Sequence, residues 1–412
     1  MGRPRVVVTG LGMVSAAGCG KDAFWDTVIR GESGIKRVRC FDTSEFKFHN
    51  AGEVTPFDLK DHTNRKYIKF IDRITRFTLA GSSLAAKDAR LEINAQNSTR
   101  IGIVFGTMYS GWESLASFER AMAEDEMKKV SPMLFQNIAA HSPASQINLE
   151  LGIKGLCSAI VNGFCSGSDS IGWACEYIQG GKADIILAGG GEELNRWIYG
   201  TFQVEKDHEP SAAQASEVCR PFDANRKGLV PGEGTCILVL ERYETALKRN
   251  ARIYAEVAGY GATNSAWSMG EYSTTGEGAG DAILLALEDG DTGPNEVDYI
   301  CAEGNGTIPG DLYECRAIQR SYPESAQEIP ISSIKPAIGH TFGASGAFNA
   351  AVCCLAIQKQ IAPPTINCVT PDPLCDLNLI TGKARELRVD VAISHSLSPG
   401  GNNSVLVFKS IK

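Results

Sequence analysis

The strongest constraint on the fold is an alternation that runs the whole length of the chain. Short runs rich in β-branched and apolar residues are separated by stretches long enough for helices. RVVVTGL (5–11), RIGIVFG (100–106), SAIVNGF (158–164) and ADIILAGGG (183–191) are continuously apolar, as strands buried on both faces are. They read as parallel strands, with helices over 64–90 and 168–180 between them. The pattern starts again after LERYETALKRNAR. IYAEVAGYGAT (253–263), a helix over 278–289, VDYICAEG (297–304) and a helix over 311–320 follow in turn. ISSIKPAIG (331–339), a helix over 343–359 and a hairpin over 389–409 complete it. Such an alternation builds an α/β fold. The restart divides the chain into two halves, 1–250 and 251–412. No Pro/Ser linker separates them, so one rigid interface is expected.

A chain of 412 residues with 43% hydrophobic content sustains a large core. Its net charge of -8 and pI near 5.4 argue against a general nucleic-acid binder. The 13 cysteines are odd in number and lack paired CxxC spacing, which suggests neither a zinc site nor a disulfide framework. No metal is expected, and a reducing cytoplasm is the expected location. No apolar run reaches the roughly 18 residues of a membrane span. The opening MGRPRVVVTGLGMVSAAG reads as a strand and a Gly-rich turn rather than a signal peptide. Its Gly10-x-Gly12 meets Ser15 where a dinucleotide fingerprint needs a third glycine, and LAGGGEELN (187–195) lacks the P-loop Lys-Ser/Thr.

VNGFCSGSDSIGWACEYI (161–178) is the most informative stretch. A β-rich run ends at Phe164, small residues follow, and Ile171, Ala174, Cys175 and Ile178 share one helical face. Cys165 is thus expected on a tight strand-to-helix turn, where the positive end of the helix lowers a thiol pKa. Ser166, Gly167 and Ser168 leave room for a substrate carbonyl and free backbone N–H groups for an oxyanion. The competing reading is a buried structural cysteine. Of the six histidines, His340 stands out, in SIKPAIGHTFGASGA (333–347) between a strand end and a small-residue helix start. Lys335 precedes it by five residues. A satisfied core histidine is the alternative.

With Cys165 and KPAIGHTFGASGA together, the chain resembles the elongating β-ketoacyl-[acyl-carrier-protein] synthases, condensing enzymes of the thiolase-like superfamily. CRPFDANRKGLVPGEGTCILVLERYETALKRNARIYAEVAGYG (219–261), VDYICAEG and GGNNSVLVFK are similar to further family segments, so the likeness covers nearly the whole chain. It implies a duplicated five-layer α/β/α/β/α fold and a dimer, homomeric or formed with a second ketosynthase. It implies an acyl carrier protein as partner, whose phosphopantetheine arm is substrate, and no cofactor. In the family a Cys-His-His set and a lysine load an acyl chain and decarboxylate a malonyl thioester. By position the nucleophile is Cys165, the second histidine His340 and the lysine Lys335. The first histidine falls on Glu303, at the head of EGNGTIPGD.

That departure matters chemically. An ionised carboxylate cannot donate the hydrogen bond a decarboxylating site needs, and it repels the malonyl carboxylate. Either Glu303 is held protonated by burial, or malonyl groups are not decarboxylated in the usual way; pairing of Glu303 with Lys335 or a backbone amide is the plainer alternative. The pantetheine-binding positions map to Asn305 and Thr307, and the acyl gate to Pro399, followed by Gly400, where a stiff ring replaces a mobile aromatic. Asp311 and Glu314 match the family and are expected to support the pocket. Arg65, Lys66, Lys69 and Arg73 lie mostly on one helical face with Arg76. They read as a solvated face or, given the resemblance, as a dock for an acidic carrier protein. The implied activity is an atypical condensing acyltransferase of fatty-acid or polyketide synthesis. A non-catalytic subunit like the chain-length factors is one alternative, and a non-decarboxylating acyltransferase is another.

Overall fold

The computed structural model describes residues 3–63, 71–124, 128, 130, 132–203 and 215–411. Its main sheet contains two sets of strands built alike. The first set is β1 (Val6–Ser15), β2 (Ile101–Gly106), β3 (Cys157–Ile160), β4 (Ile185–Glu192) and β5 (Gly234–Arg242). The second is β6 (Ala255–Asn264), β7 (Tyr299–Cys301), β8 (Ile331–Ser332), β9 (Val391–Leu397) and β10 (Asn402–Lys409). Across the sheet they run β8-β7-β9-β10-β6-β1-β5-β4-β2-β3, and a short strand at Gly18–Cys19 pairs with the end of β1. Counted outward from the centre, each half therefore runs first, fifth, fourth, second, third. The pairing sense repeats as well. The second strand lies parallel to the third and fourth, and the fifth lies antiparallel to the fourth and first.

Each half also sends a helix after its first three strands. These are α1 (Arg73–Asp88), α2 (Ser142–Leu151) and α3 (Ser166–Gln179), then α4 (Glu277–Asp289), α5 (Ile308–Ser321) and α6 (Ser345–Lys359). The pair α1 and α2 covers one outer face, and α4 with α5 covers the other. Helices α3 and α6 pack on each other and touch strands of both halves. The result is the duplicated five-layer thiolase-like arrangement. Every residue of α6 from Ser345 to Ile357 is buried, as a helix enclosed on all sides requires. The sequence obliges with Ala, Cys, Val, Leu and Phe and no charge before Lys359.

Several expectations change. β1 is antiparallel to both its neighbours, not parallel, because it starts each half's antiparallel run. β3 ends at Ile160 rather than Phe164; Gly163, at φ +58°, turns the chain into a 3₁₀ turn over Gly163–Cys165. β8 stops at Ser332, because Pro336 cannot donate to a ladder and instead enters a short helix, Lys335–Ile338. The helix expected over 64–90 is seen from Arg73; residues 64–70 lie outside the described residues. Asp72 caps it, its carboxylate accepting from Thr75 N–H at 3.1 Å. Among the described residues no helix is long and apolar enough to cross a membrane.

Candidate active site

The duplication brings the two central helix starts together. Cys165 immediately precedes α3, and His340 lies just ahead of the turn that opens α6. The ring of Phe164 packs against the His340 imidazole with centroids 4.3 Å apart. Glu303 arrives from the end of β7, and Lys335 from the short helix after β8.

Cys165 is fully buried. Its Sγ lies 3.2 Å from the carbonyl oxygens of Ser396 and of Asn402, either of which accepts the thiol proton. Burial pushes the thiol well above its ordinary value, and the carboxylates of Asp169 and Glu303 push the same way. This corrects the expected depression: the helix start is present, but desolvation and two negative charges outweigh it.

His340 is held on both sides of its backbone. Its N–H donates to Val230 O at 2.7 Å, and its carbonyl accepts from Gly232 N–H at 2.8 Å. Its Nδ1 accepts from Phe342 N–H at 3.0 Å, so the neutral ring carries its proton on Nε2. Phe342 makes this bond with a left-handed φ of +44°, rare for a residue with a side chain. Burial holds the imidazole below its ordinary value; Glu303 opposes this and Lys335 reinforces it.

Glu303 sits between the Lys335 ammonium and the His340 ring. Its Oε1 lies 2.8 Å from His340 Nε2 and its Oε2 3.6 Å from Lys335 Nζ, all three side chains being almost wholly buried. The His340 Nε2–H and the Lys335 ammonium are the polar neighbours of the two oxygens, and neither oxygen has a further hydrogen-bond partner among the described residues. Burial alone would raise the Glu303 pKa, but Lys335 and then His340 hold it below its ordinary value. Glu303 is therefore ionised, and the protonated, donating form considered from the sequence is set aside.

The carboxylate of Glu314, from α5, accepts from the N–H groups of Glu303 at 2.9 Å and Gly304 at 2.8 Å. The same carboxylate meets His395 Nδ1 at 2.9 Å. Asp311 accepts from Phe222 N–H at 2.7 Å and Gly306 N–H at 3.1 Å and faces Arg226 at 3.3 Å; burial pushes it up to about 7.

Asn305 and Thr307 are buried and already engaged. Asn305 Oδ1 accepts from the backbone and hydroxyl of Thr307, its amide donates to Tyr272, and Thr307 caps α5 through Gly310 N–H. In this conformation neither side chain is open to a pantetheine arm. Pro399 and Gly400 form the turn between β9 and β10, over the Cys165 loop, and Gly400 N–H donates to Glu271 O at 3.0 Å.

Arg65, Lys66 and Lys69 lie outside the described residues. Arg73 donates to the buried Glu233 at 2.7 Å and stacks over Phe77, so it braces the fold rather than offering a free docking charge. Tyr272, Phe342 and the carbonyls of Ser396 and Asn402 escape a reading of the sequence, because no local pattern marks them. His395 stands in the hairpin ISHSL, where a buried face was legible but its partner Glu314 was not. Among the described residues no cluster of His, Cys, Asp or Glu is placed to hold a metal ion.

Residues 3–246 match the family described as "Beta-ketoacyl synthase, N-terminal domain", and residues 254–369 its "C-terminal domain". The chain is 35% identical over 409 residues to 3-oxoacyl-[acyl-carrier-protein] synthase 2 of Staphylococcus aureus, covering 99% of each. It is 36% identical over 408 residues to the protein so named in Synechocystis, covering 99% of this chain and 98% of the other. Among solved structures it is similar to the ishigamide ketosynthase/chain length factor, with TM-score 0.92 and 31% identity over 100% of both chains. A type II polyketide acyl-carrier protein in complex with its ketosynthase matches with TM-score 0.88 and 32% identity, again over 100% of both chains.

Proposed function

The chain belongs to the β-ketoacyl synthase family, the condensing enzymes of fatty-acid and type II polyketide synthesis, and from that premise we propose that Cys165 receives an acyl chain from an acyl carrier protein. The observation that carries the reading is the contact of Phe164, next to Cys165 at one central helix start, with His340 just ahead of the other. In the loading step the Cys165 sulfur attacks the carrier thioester carbonyl. A new C–S bond forms, the bond to the pantetheine sulfur breaks, and the thiol proton passes to that sulfur. The buried thiol reaches a substrate only when the 396–402 turn gives way, since that turn supplies both of its acceptors.

Extension is the step on which Glu303 bears. Glu303 cannot donate to a decarboxylating malonyl group. At about 4 Å and an effective dielectric near 20 it would oppose the malonyl carboxylate by ~4 kcal/mol. The ion pairs with Lys335 and His340 occupy the two groups that would otherwise meet the extender. That observation favours a second reading, in which the chain serves a catalytically complete ketosynthase as partner subunit. A homodimer or such a heterodimer, working in the cytoplasm, follows from either reading.

Intact-protein mass after mixing with acyl-loaded carrier proteins tests the first reading. A gain equal to the acyl group, absent in Cys165→Ala, is expected. No gain across several chain lengths in folded protein would leave the partner reading.

A further inference from the structure

The carboxylates around Cys165 are not alike. Glu314 accepts from two backbone amides and faces His395, and Asp311 accepts from two amides. Beyond His340 Nε2 and Lys335 Nζ, Glu303 has no hydrogen-bond donor on either oxygen among the described residues, though it is almost wholly buried. Each oxygen has one such neighbour, and a carboxylate oxygen with two lone pairs keeps capacity to accept another hydrogen bond. His340, which Glu303 meets at 2.8 Å, packs its ring 4.3 Å from that of Phe164, the residue before Cys165, and the Glu303 charge helps to raise the Cys165 thiol. An ionised carboxylate with unused lone pairs beside an acylated cysteine is the arrangement of a general base for water.

We infer that the chain hydrolyses the acyl thioester formed on Cys165, with Glu303 as the catalytic residue that takes a proton from the attacking water. The inference rests on the acylation proposed above. The water oxygen attacks the acyl carbonyl as Glu303 accepts its proton. The oxyanion forms within the field of the Lys335 ammonium and the His340 Nε2–H. The C–S bond then breaks, releasing the carboxylic acid, and the Cys165 sulfur recovers its proton from Glu303. No cofactor or redox partner enters. The proton return suits the two groups: the buried thiolate is a strong base, and Glu303 beside Lys335 is a stronger acid than usual. A site that cannot decarboxylate an extender in the usual way thereby releases its bound chain as a free acid.

The test is the lifetime of the acyl-enzyme. Cys165 is loaded from octanoyl-carrier protein, the donor is removed, and intact mass is followed in H₂¹⁸O. Loss of the octanoyl mass is expected, much faster than from the same acyl-protein unfolded in urea, with one ¹⁸O in the released octanoate. In Glu303→Gln, whatever fraction of the protein is acylated should lose the group roughly 100-fold more slowly. Since Glu303→Gln leaves Lys335 buried without a counter-charge, its folding is checked by urea denaturation, and Glu303→Asp, which keeps the charge, should lose the group faster than Glu303→Gln. A folded acyl-enzyme as long-lived as the unfolded one overturns this inference and leaves the acylation reading intact. Unchanged loss in Glu303→Gln overturns the role of Glu303. Failure of Cys165 to acylate at all overturns both.

Discussion

Glu303, Lys335 and His340 are a buried set whose members cannot be changed singly. Removing one partner of a buried ion pair strands the other, at a cost of about 3–5 kcal/mol. Glu303→Ala is therefore expected to lower stability by about that much in urea denaturation. Glu303→Leu combined with Lys335→Met should cost less than Glu303→Ala alone, since no charge is left unpaired. A double variant worse than the single would count against the pairing as the source of the cost. The identities at 165, 303, 335 and 340 were all legible in the sequence. Their electrostatics were not, because they depend on distances between residues far apart in the chain. The helix start ahead of Ser166 suggested an activated thiol; the enclosing carbonyls and carboxylates of the folded molecule reversed the direction.

At the scale of elements, the site depends on how closely strand ends approach helix starts. Gly106 closes β2, and a Cβ there would lie 2.3 Å from the carbonyl oxygen of Ser166, in the first turn of α3. Gly106→Ala must push the Cys165 turn away, costing about 1–3 kcal/mol by overpacking. Acyl loading at Cys165 should fall with it, while normal loading would refute the coupling. Thr307 caps α5, the helix whose Glu314 and Asp311 tie down the 303–306 turn. Thr307→Ala should cost about 1 kcal/mol, the usual worth of such a cap. The positions of α3, α4, α5 and α6 were visible from periodicity to within three residues, whereas α2 was not foreseen and α1 starts at Arg73, well after 64. Strand lengths were less visible: β7 and β8 are short because the chain leaves the sheet early to build the site.

Over the whole molecule, buried carboxyls set the pH dependence of stability. Glu192 and Glu193 are pushed up to about 8 and Asp311 to about 7, chiefly by burial. Their ordinary values lie near 4.5 and 3.8. Between those limits the native chain keeps protons that the unfolded chain releases, so stability falls as pH rises through the window. His340 acts the other way only below its ordinary value of 6.5, where the unfolded ring protonates first. The thermal midpoint should therefore be lower at pH 8.5 than at pH 6.5. A midpoint that is equal or higher at pH 8.5 would show that these carboxyls are ionised in the native state.

The amino-acid order by itself determined the α/β class, the restart near residue 250 and the charge-free start of α6, because periodicity and composition are local properties; the positions Cys165, Glu303, Lys335 and His340 were singled out together by the likeness to a family. Only the tertiary structure decided that both halves repeat one strand order within a single sheet, that Thr307 caps α5 while Asn305 is spent on Thr307 and Tyr272, and that Glu303 is ionised between Lys335 and His340. Those outcomes depend on burial and on charge-to-charge distances across more than thirty residues of chain, quantities that exist only once the two halves have closed on each other.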